Sequence, residues 1–82
     1  MIITFSDHAR QQLRERGIAE RQVILAVRHP TQTIPQSLTR YRAALFTPQK
    51  RKRYALVVIV DRRGKAHEVV TAFITSKLTK YL

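Results

Sequence analysis

Tyr54-Ala55-Leu56-Val57-Val58-Ile59-Val60 is nearly continuous in apolar, mostly β-branched residues, and Asp61-Arg62-Arg63-Gly64 and then Lys65 to Ile74 follow it. The run is of strand length rather than helix length, and an apolar stretch without polar alternation reads as a strand buried on both faces. A turn whose glycine can take a positive φ brings Lys65 to Ile74 back as its partner. This hairpin forms the centre of a sheet. Because both alternating sets of Tyr54 to Val60 are largely apolar, helices must cover at least one face, and the other, helix-free face is where a ligand could lie.

Working back towards the N-terminus, the loop Thr47-Pro48-Gln49-Lys50-Arg51-Lys52-Arg53 precedes the hairpin, and Arg40 to Phe46 reads as a further strand. Thr31 to Gln36 is a weaker strand, which Pro35 confines to an edge or a bulge because proline cannot donate to a ladder. Pro30 stops a helix running from about Glu20 to His29, in which Val23, Ala26 and Val27 line one face and Ile24 widens it. His29 lies near the end of that helix, where the dipole favours a cation.

Gly17 separates that helix from an earlier one over Asp7 to Arg16. Ser6 is its N-cap, Asp7 puts negative charge in its first turn, and Phe5, Ala9 and Leu13 form an i, i+4 stripe. Ile2, Ile3 and Thr4 open the chain as a short strand. The whole is an α+β pattern over a single domain spanning residues 1–82, with two N-terminal helices packed on a small, mostly antiparallel sheet and no internal repeat.

Sixteen Lys and Arg against five Asp and Glu give the 82-residue chain a formal charge of +11. That excess is beyond what solubility requires and points to a polyanion, RNA or DNA, as partner. The basic residues run through every segment, with knots at Lys50-Arg51-Lys52-Arg53 and at Arg62, Arg63 and Lys65, so the expectation is a folded body with a positive face. With no cysteine, packing alone must hold the core.

No apolar run approaches the ~20 residues that cross a bilayer, and the N-terminus lacks the pattern of a secretory signal. The expected compartment is the cytoplasm, without membrane binding. Few carboxylates and no histidine pair at ligand spacing lead to the expectation of no metal and no other cofactor. Helix two, with Val23 to Val27 in succession, reads as core rather than as a helix that reads base edges.

Phe5-Ser6-Asp7-His8-Ala9, Arg16-Gly17-Ile18, Arg40-Tyr41-Arg42, Val70-Thr71-Ala72-Phe73 and the closing Thr75-Ser76-Lys77 with Lys80-Tyr81 resemble, in order and over nearly the whole chain, a small bacterial family of unknown function. That family has an F-S-x-H-A start and a T-S-K…K-Y end, and it is similar in fold to the RelE and ParE toxins. The resemblance implies a toxin-like component of a toxin–antitoxin system. It would be a metal-independent messenger-RNA endoribonuclease or translation inhibitor that acts on RNA, on the ribosome or free, and is neutralised by an acidic antitoxin-like protein. Other members of the wider group act on gyrase.

Metal-independent RNA cleavage needs a base for the 2′-hydroxyl proton, cations for the crowded phosphate and an acid for the departing 5′-oxygen. His8, in the first turn of helix one, is a candidate base, since exposed N–H groups there attract phosphate. Lys77 and Tyr81 are spaced i, i+4 if the tail is helical, so an ammonium and a phenol would share one side. His67, with Val69 and Phe73 in its alternating set, is either a half-buried structural residue or the base. Arg40 and Arg42 present planar forks suited to phosphate, and Lys50, Arg51, Lys52 and Arg53 add long-range attraction. The alternatives are a non-catalytic nucleic-acid-binding module and a module that docks an acidic protein.

Phosphate contact through the Lys50 to Arg53 knot has a measurable consequence. Each cation that contacts a single-stranded RNA contributes about −0.7 to the slope of log affinity against log salt. Replacing the four basic residues by Gln is expected to flatten that slope by up to about 3, read by fluorescence anisotropy titrations over a series of salt concentrations; an unchanged slope would remove the knot from the interface.

Overall fold

The first helix is fixed at both ends by its own sequence. Ser6, extended at φ −69° and ψ 157°, accepts the Ala9 N–H on its hydroxyl at 3.0 Å, an N-cap for α1 (Asp7–Arg16). At the other end Gly17 takes φ 67°, its N–H bonds the Arg14 carbonyl at 3.3 Å, and the Ile18 N–H bonds the Leu13 carbonyl at 2.9 Å. This is a Schellman closure, completed by Ile18 and Leu13 packing into the same core. Helix α2 (Glu20–Arg28) starts with the Ala19 N–H donating to Gln22 Oε1 at 3.0 Å, the one half of a capping box that an alanine permits. His29 closes α2, its N–H bonding the Leu25 carbonyl at 2.8 Å, ahead of Pro30.

The computed structural model describes residues 1–48 and 53–77. Within them the elements run β1 (Ile2–Phe5), α1, α2, β2 (Gln32–Pro35), β3 (Arg40–Pro48), β4 (Arg53–Arg63) and β5 (Ala66–Thr75). The five strands form one sheet in the order β1-β5-β4-β3-β2, antiparallel except for the parallel β1–β5 pair. The architecture is therefore the α+β arrangement expected from the sequence. No helix among the described residues is long and apolar enough to cross a membrane.

Strand β4 is central, between β3 and β5. Leu56, Val58 and Val60 face the helices, where they join Ala9, Leu13, Val23, Ala26 and Val27 in the main core. Ala55 and Val57 point the other way and are buried with Ala44 beneath the partly buried Phe46 and Phe73. Pro35 ends the edge strand β2, the position its missing N–H allows.

Two details depart from the sequence reading. The turn expected over Asp61 to Gly64 contracts to Gly64-Lys65, because pairing continues to Arg63 opposite Ala66. Gly64 has φ 61° and Lys65 has no positive φ, the II′-type arrangement whose twist matches a two-residue hairpin. The second departure is a bulge. Ile59 pairs with Thr71 while Val60 pairs with Val69, which leaves Val70 without an opposite residue. His67 and Val69 therefore do not share a face with Phe73, as plain alternation had placed them. Val69 lies in the core under the helices and Phe73 on the helix-free side.

Beyond Phe5 opposite Val69, β1 no longer covers β5, and α1 takes over. Arg16 Nη1 donates to the Ala72 carbonyl at 2.7 Å, and the Thr71 hydroxyl donates to Gln12 Oε1. A cation thus occupies a strand edge that would otherwise offer a free carbonyl.

Leu13 is 2% exposed, so Leu13→Ala is expected to cost about 2–5 kcal/mol in urea unfolding. Around Gly17 nothing lies within 4 Å of an added Cβ. Gly17→Ala should therefore cost only the left-handed backbone penalty of about 1–2 kcal/mol, with no added clash.

Candidate functional site

The short Gly64-Lys65 turn sets Arg62 directly opposite His67. On the neighbouring strand Tyr41 pairs with Val60, which places its ring on the same face, one step inward from Arg62. Tyr41 Oη and His67 Nδ1 are 2.8 Å apart, and the two rings meet edge to face with centroids 5.8 Å apart at 77°. The Arg62 guanidinium carbon lies 4.9 Å above the Tyr41 ring, a cation–π contact. Tyr41 is 6% exposed, His67 is half-buried and Arg62 is exposed, so the cluster runs from the core to solvent.

Burial pushes the Tyr41 phenol up from its ordinary pKa, against a smaller opposing pull from Arg62. A neutral phenol can either donate to or accept from Nδ1. If it donates, Nε2 carries the imidazole proton; if it accepts, Nε2 is a free base. No described residue hydrogen-bonds Nε2, so that nitrogen is the one available to a ligand.

The cluster is on the face that Val60 and Val69 share with the helices, not on the helix-free face where the sequence had suggested a ligand. The helix-free face of this sheet end carries paired charges. Arg40 grips Asp61 with two bonds, Nε to Oδ1 at 2.7 Å and Nη2 to Oδ2 at 2.9 Å, and Arg63 Nε lies 3.0 Å from Glu68 Oε1. The bond from Arg40 is the main reason that the Asp61 carboxyl is held below the usual carboxylate range, and desolvation opposes it. Arg40, read from the sequence as an open fork for phosphate, thus spends that fork on Asp61. Arg62 has no carboxylate partner among the described residues.

The remaining candidates are spread over the molecule. His8 is exposed in the first turn of α1, and the Ser6 N–H beside it bonds the Val69 carbonyl at 3.2 Å. Lys77 is exposed just past the far end of β5, its N–H donating to Thr75 Oγ1 at 3.1 Å. No described contact joins His8 to Lys77 or either one to His67. Arg42 is half-buried, two positions along β3 from Arg40, and Arg53 opens β4. Lys50, Arg51, Lys52 and Tyr81 lie outside the described residues.

Arg62 and Tyr41 are the residues that sequence reading did not single out as site residues. The signal for Arg62 was the turn: with two residues at the tip rather than four, Arg62 and His67 become a directly opposed pair. Among the described residues no three His, Cys, Asp or Glu side chains are grouped so as to hold a metal ion.

The family model described as a domain of unknown function, DUF4258, matches residues 5–80, and the chain belongs to that family. The matched span contains the whole Tyr41–Arg62–His67 cluster. No curated protein and no solved structure matches the chain.

The ionisable pairs set the pH response. A depressed Asp61 pKa contributes stability that is complete above the ordinary carboxylate value of about 4 and is lost as pH falls through the folded value. Asp61→Asn is therefore expected to be less stable than the native chain at neutral pH, the gap closing on acidification below about pH 4. The raised Tyr41 pKa acts at the other end. Its contribution is complete below about pH 10 and is lost as pH rises through the folded value, so Tyr41→Phe should flatten the alkaline limb. Chemical denaturation across pH, with the phenolate absorbance followed in parallel, checks both.

Proposed function

We propose that this chain is a toxin-like RNA-binding protein that cleaves RNA without a metal, with His67 as the proton-transfer group, Arg62 as the cation on the phosphate and Tyr41 as the phenol that holds the imidazole. The observation that carries this reading is the 2.8 Å contact between Tyr41 Oη and His67 Nδ1 with the Arg62 guanidinium over the phenol ring. An imidazole oriented through one nitrogen presents the other in a defined direction, which general acid–base catalysis requires. A guanidinium beside it can follow the negative charge that grows on the phosphate oxygens as the 2′-oxygen attacks.

Charge supports the same ligand. The chain carries +11 overall, and at this end of the sheet Asp61 and Glu68 are both taken up by arginines of the opposite face. The cluster therefore faces an approaching phosphate without a competing free carboxylate.

The similarity in fold of the resembled family to the RelE and ParE toxins adds the biological setting to this proposal. Two helices on a largely antiparallel sheet are common to that group and to this chain. In this reading the protein works in the cytoplasm on messenger RNA, free or on the ribosome, and an acidic antitoxin-like protein neutralises it by covering the basic surface. His8, Lys77 and Tyr81 are the alternative location for the chemistry.

The test uses end-labelled messenger incubated with the purified chain in the presence of a metal chelator, alongside a cell-free translation reaction. His67→Ala is expected to slow cleavage by about 10²–10⁴-fold, the range for a lost general acid or base. Arg62→Ala should fall in the same direction, and a His8→Ala, Lys77→Ala double variant should retain activity. Loss in that double variant with full activity in His67→Ala would move the chemistry to His8 or Lys77, which the two single variants would then separate. Intact message with the native chain, in the face of tight RNA binding, would leave a non-catalytic binding protein.

A further inference from the structure

Phe5, Val69, Val60 and Tyr41 form one row across four strands on the helix side of the sheet, since Phe5 pairs with Val69, Val69 with Val60 and Val60 with Tyr41. The row has an aromatic ring at each end and valines between, and at three strand spacings its ends are about 14 Å apart. An arginine stands on each ring. The Arg62 guanidinium carbon lies 4.9 Å from the Tyr41 centroid, and that of Arg10, carried by α1, lies 5.7 Å from the Phe5 centroid. His67 is one step outward from the row on β5, opposite Ile3 of β1 on one side and Arg62 of β4 on the other. The imidazole therefore lies between two guanidinia, each propped on a ring. Such a prop spends no N–H donor. Arg10 has only a loose carboxylate neighbour: its Nε is 3.9 Å from Glu20 Oε2, with both side chains about half exposed. A solvated pair at that distance is weak, and a phosphate, whose oxygens accept a planar fork, competes with it.

We infer that Arg10 is the second phosphate-contacting residue of the site: the RNA crosses the strands from β3 towards β1, with the reacting phosphate between His67 and Arg62 and a neighbouring phosphate on Arg10. The inference rests on the RNA-cleaving reading above and deepens it by giving the substrate a path and a minimum length. One phosphate cannot occupy both guanidinia, so a dinucleotide engages half of the site and a longer single strand engages all of it. Attachment on both sides of the imidazole holds the reacting step over Nε2, which a single contact would leave free to swing. The two arginines then divide the work. Arg62 touches the phosphate on which charge grows and acts on the transition state, whereas the phosphate on Arg10 undergoes no chemistry. Binding energy from Arg10 is the same in ground and transition states, so it appears in KM and not in kcat.

The probe is a set of dye-labelled single-stranded RNAs about ten nucleotides long, within the site sizes of single-strand grooves. Their sugars are 2′-O-methyl so that no cleavage occurs, and each carries one neutral methylphosphonate in place of a phosphate, at successive positions. Anisotropy with the native chain is expected to show two sensitive positions, each costing about tenfold in affinity, the range of a lost charge-assisted bond. Arg10→Ala should bind the unmodified RNA about tenfold more weakly and become indifferent to one of those positions while keeping the other; Arg62→Ala should show the reverse, and Arg10→Lys should restore most of the lost contact. Circular dichroism checks that the variants, both at exposed side chains, stay folded. With cleavable RNA, Arg10→Ala should raise KM about tenfold with kcat within about twofold. An Arg10→Ala chain that keeps both sensitive positions would overturn the inference and leave Arg10 as the cover of Phe5. Two sensitive positions without cleavage of ordinary RNA would uphold the Arg10 contact and sink the cleavage reading alone. An absence of binding by the native chain at physiological salt would overturn both.

Discussion

Burial of β4 on both of its faces is the constraint from which the rest of the molecule follows. Leu56, Val58 and Val60 require a cover of helices, and Ala55 and Val57 require a second cover on the other side, which Phe46 and Phe73 begin. A strand in that position must also pair on both edges, so β3 and β5 are obligatory neighbours. The small sheet thus has one dry centre, with polar side chains gathered at the end that the described residues define. The described end, where β3 starts, β4 stops and β5 begins, collects the side chains capable of chemistry. There the main core reaches its edge, and a tyrosine is buried while an arginine on the next strand remains in water.

Much of this was legible in the amino-acid order. Ser6, Gly17 and Pro30 are local punctuation whose effect needs no distant partner, and α1 falls on the residues expected, while α2 ends one residue early with His29 as its cap. The apolar run Tyr54 to Val60 announced the central strand for a similar reason, since nothing but two-sided burial explains it. What was hidden depends on register. The extra residue at Val70 and the contraction of the turn to Gly64-Lys65 each change which side chains meet, and neither leaves a mark in composition or periodicity. Phe73 was assigned to the wrong side of the sheet by the first, and the opposition of Arg62 and His67 was missed because of the second. Lys50, Arg51, Lys52 and Tyr81 lie outside the described residues.

The two faces at the site end divide the arginines by task. Arg40 and Arg63 are neutralised by Asp61 and Glu68 across the strands, which stitches the sheet end together without adding to its field. Arg62, between them in sequence, turns to the opposite face and meets an aromatic ring instead of a carboxylate. A ring steadies a guanidinium while leaving its N–H donors unspent, whereas a carboxylate uses two of them. Alternation along one strand is thus enough to turn neighbouring arginines into one structural tie and one open donor.

The unpaired Val70 has a consequence for how this strand can change. A strand side chain points up or down with a period of two, and one additional residue advances that alternation by half a cycle, so β5 carries two independent phases joined at a single point. Residues before the joint answer to the Tyr41 cluster, and those after it answer to the helix α1 and the second apolar cluster. Each stretch can therefore accept substitutions without upsetting the facing of the other. The joint is the extra residue itself: without it Val69 would join Thr71 directly in plain alternation, His67 would still oppose Arg62 on the Tyr41 face, and what β5 would lose is the local bend and added twist that a bulge gives.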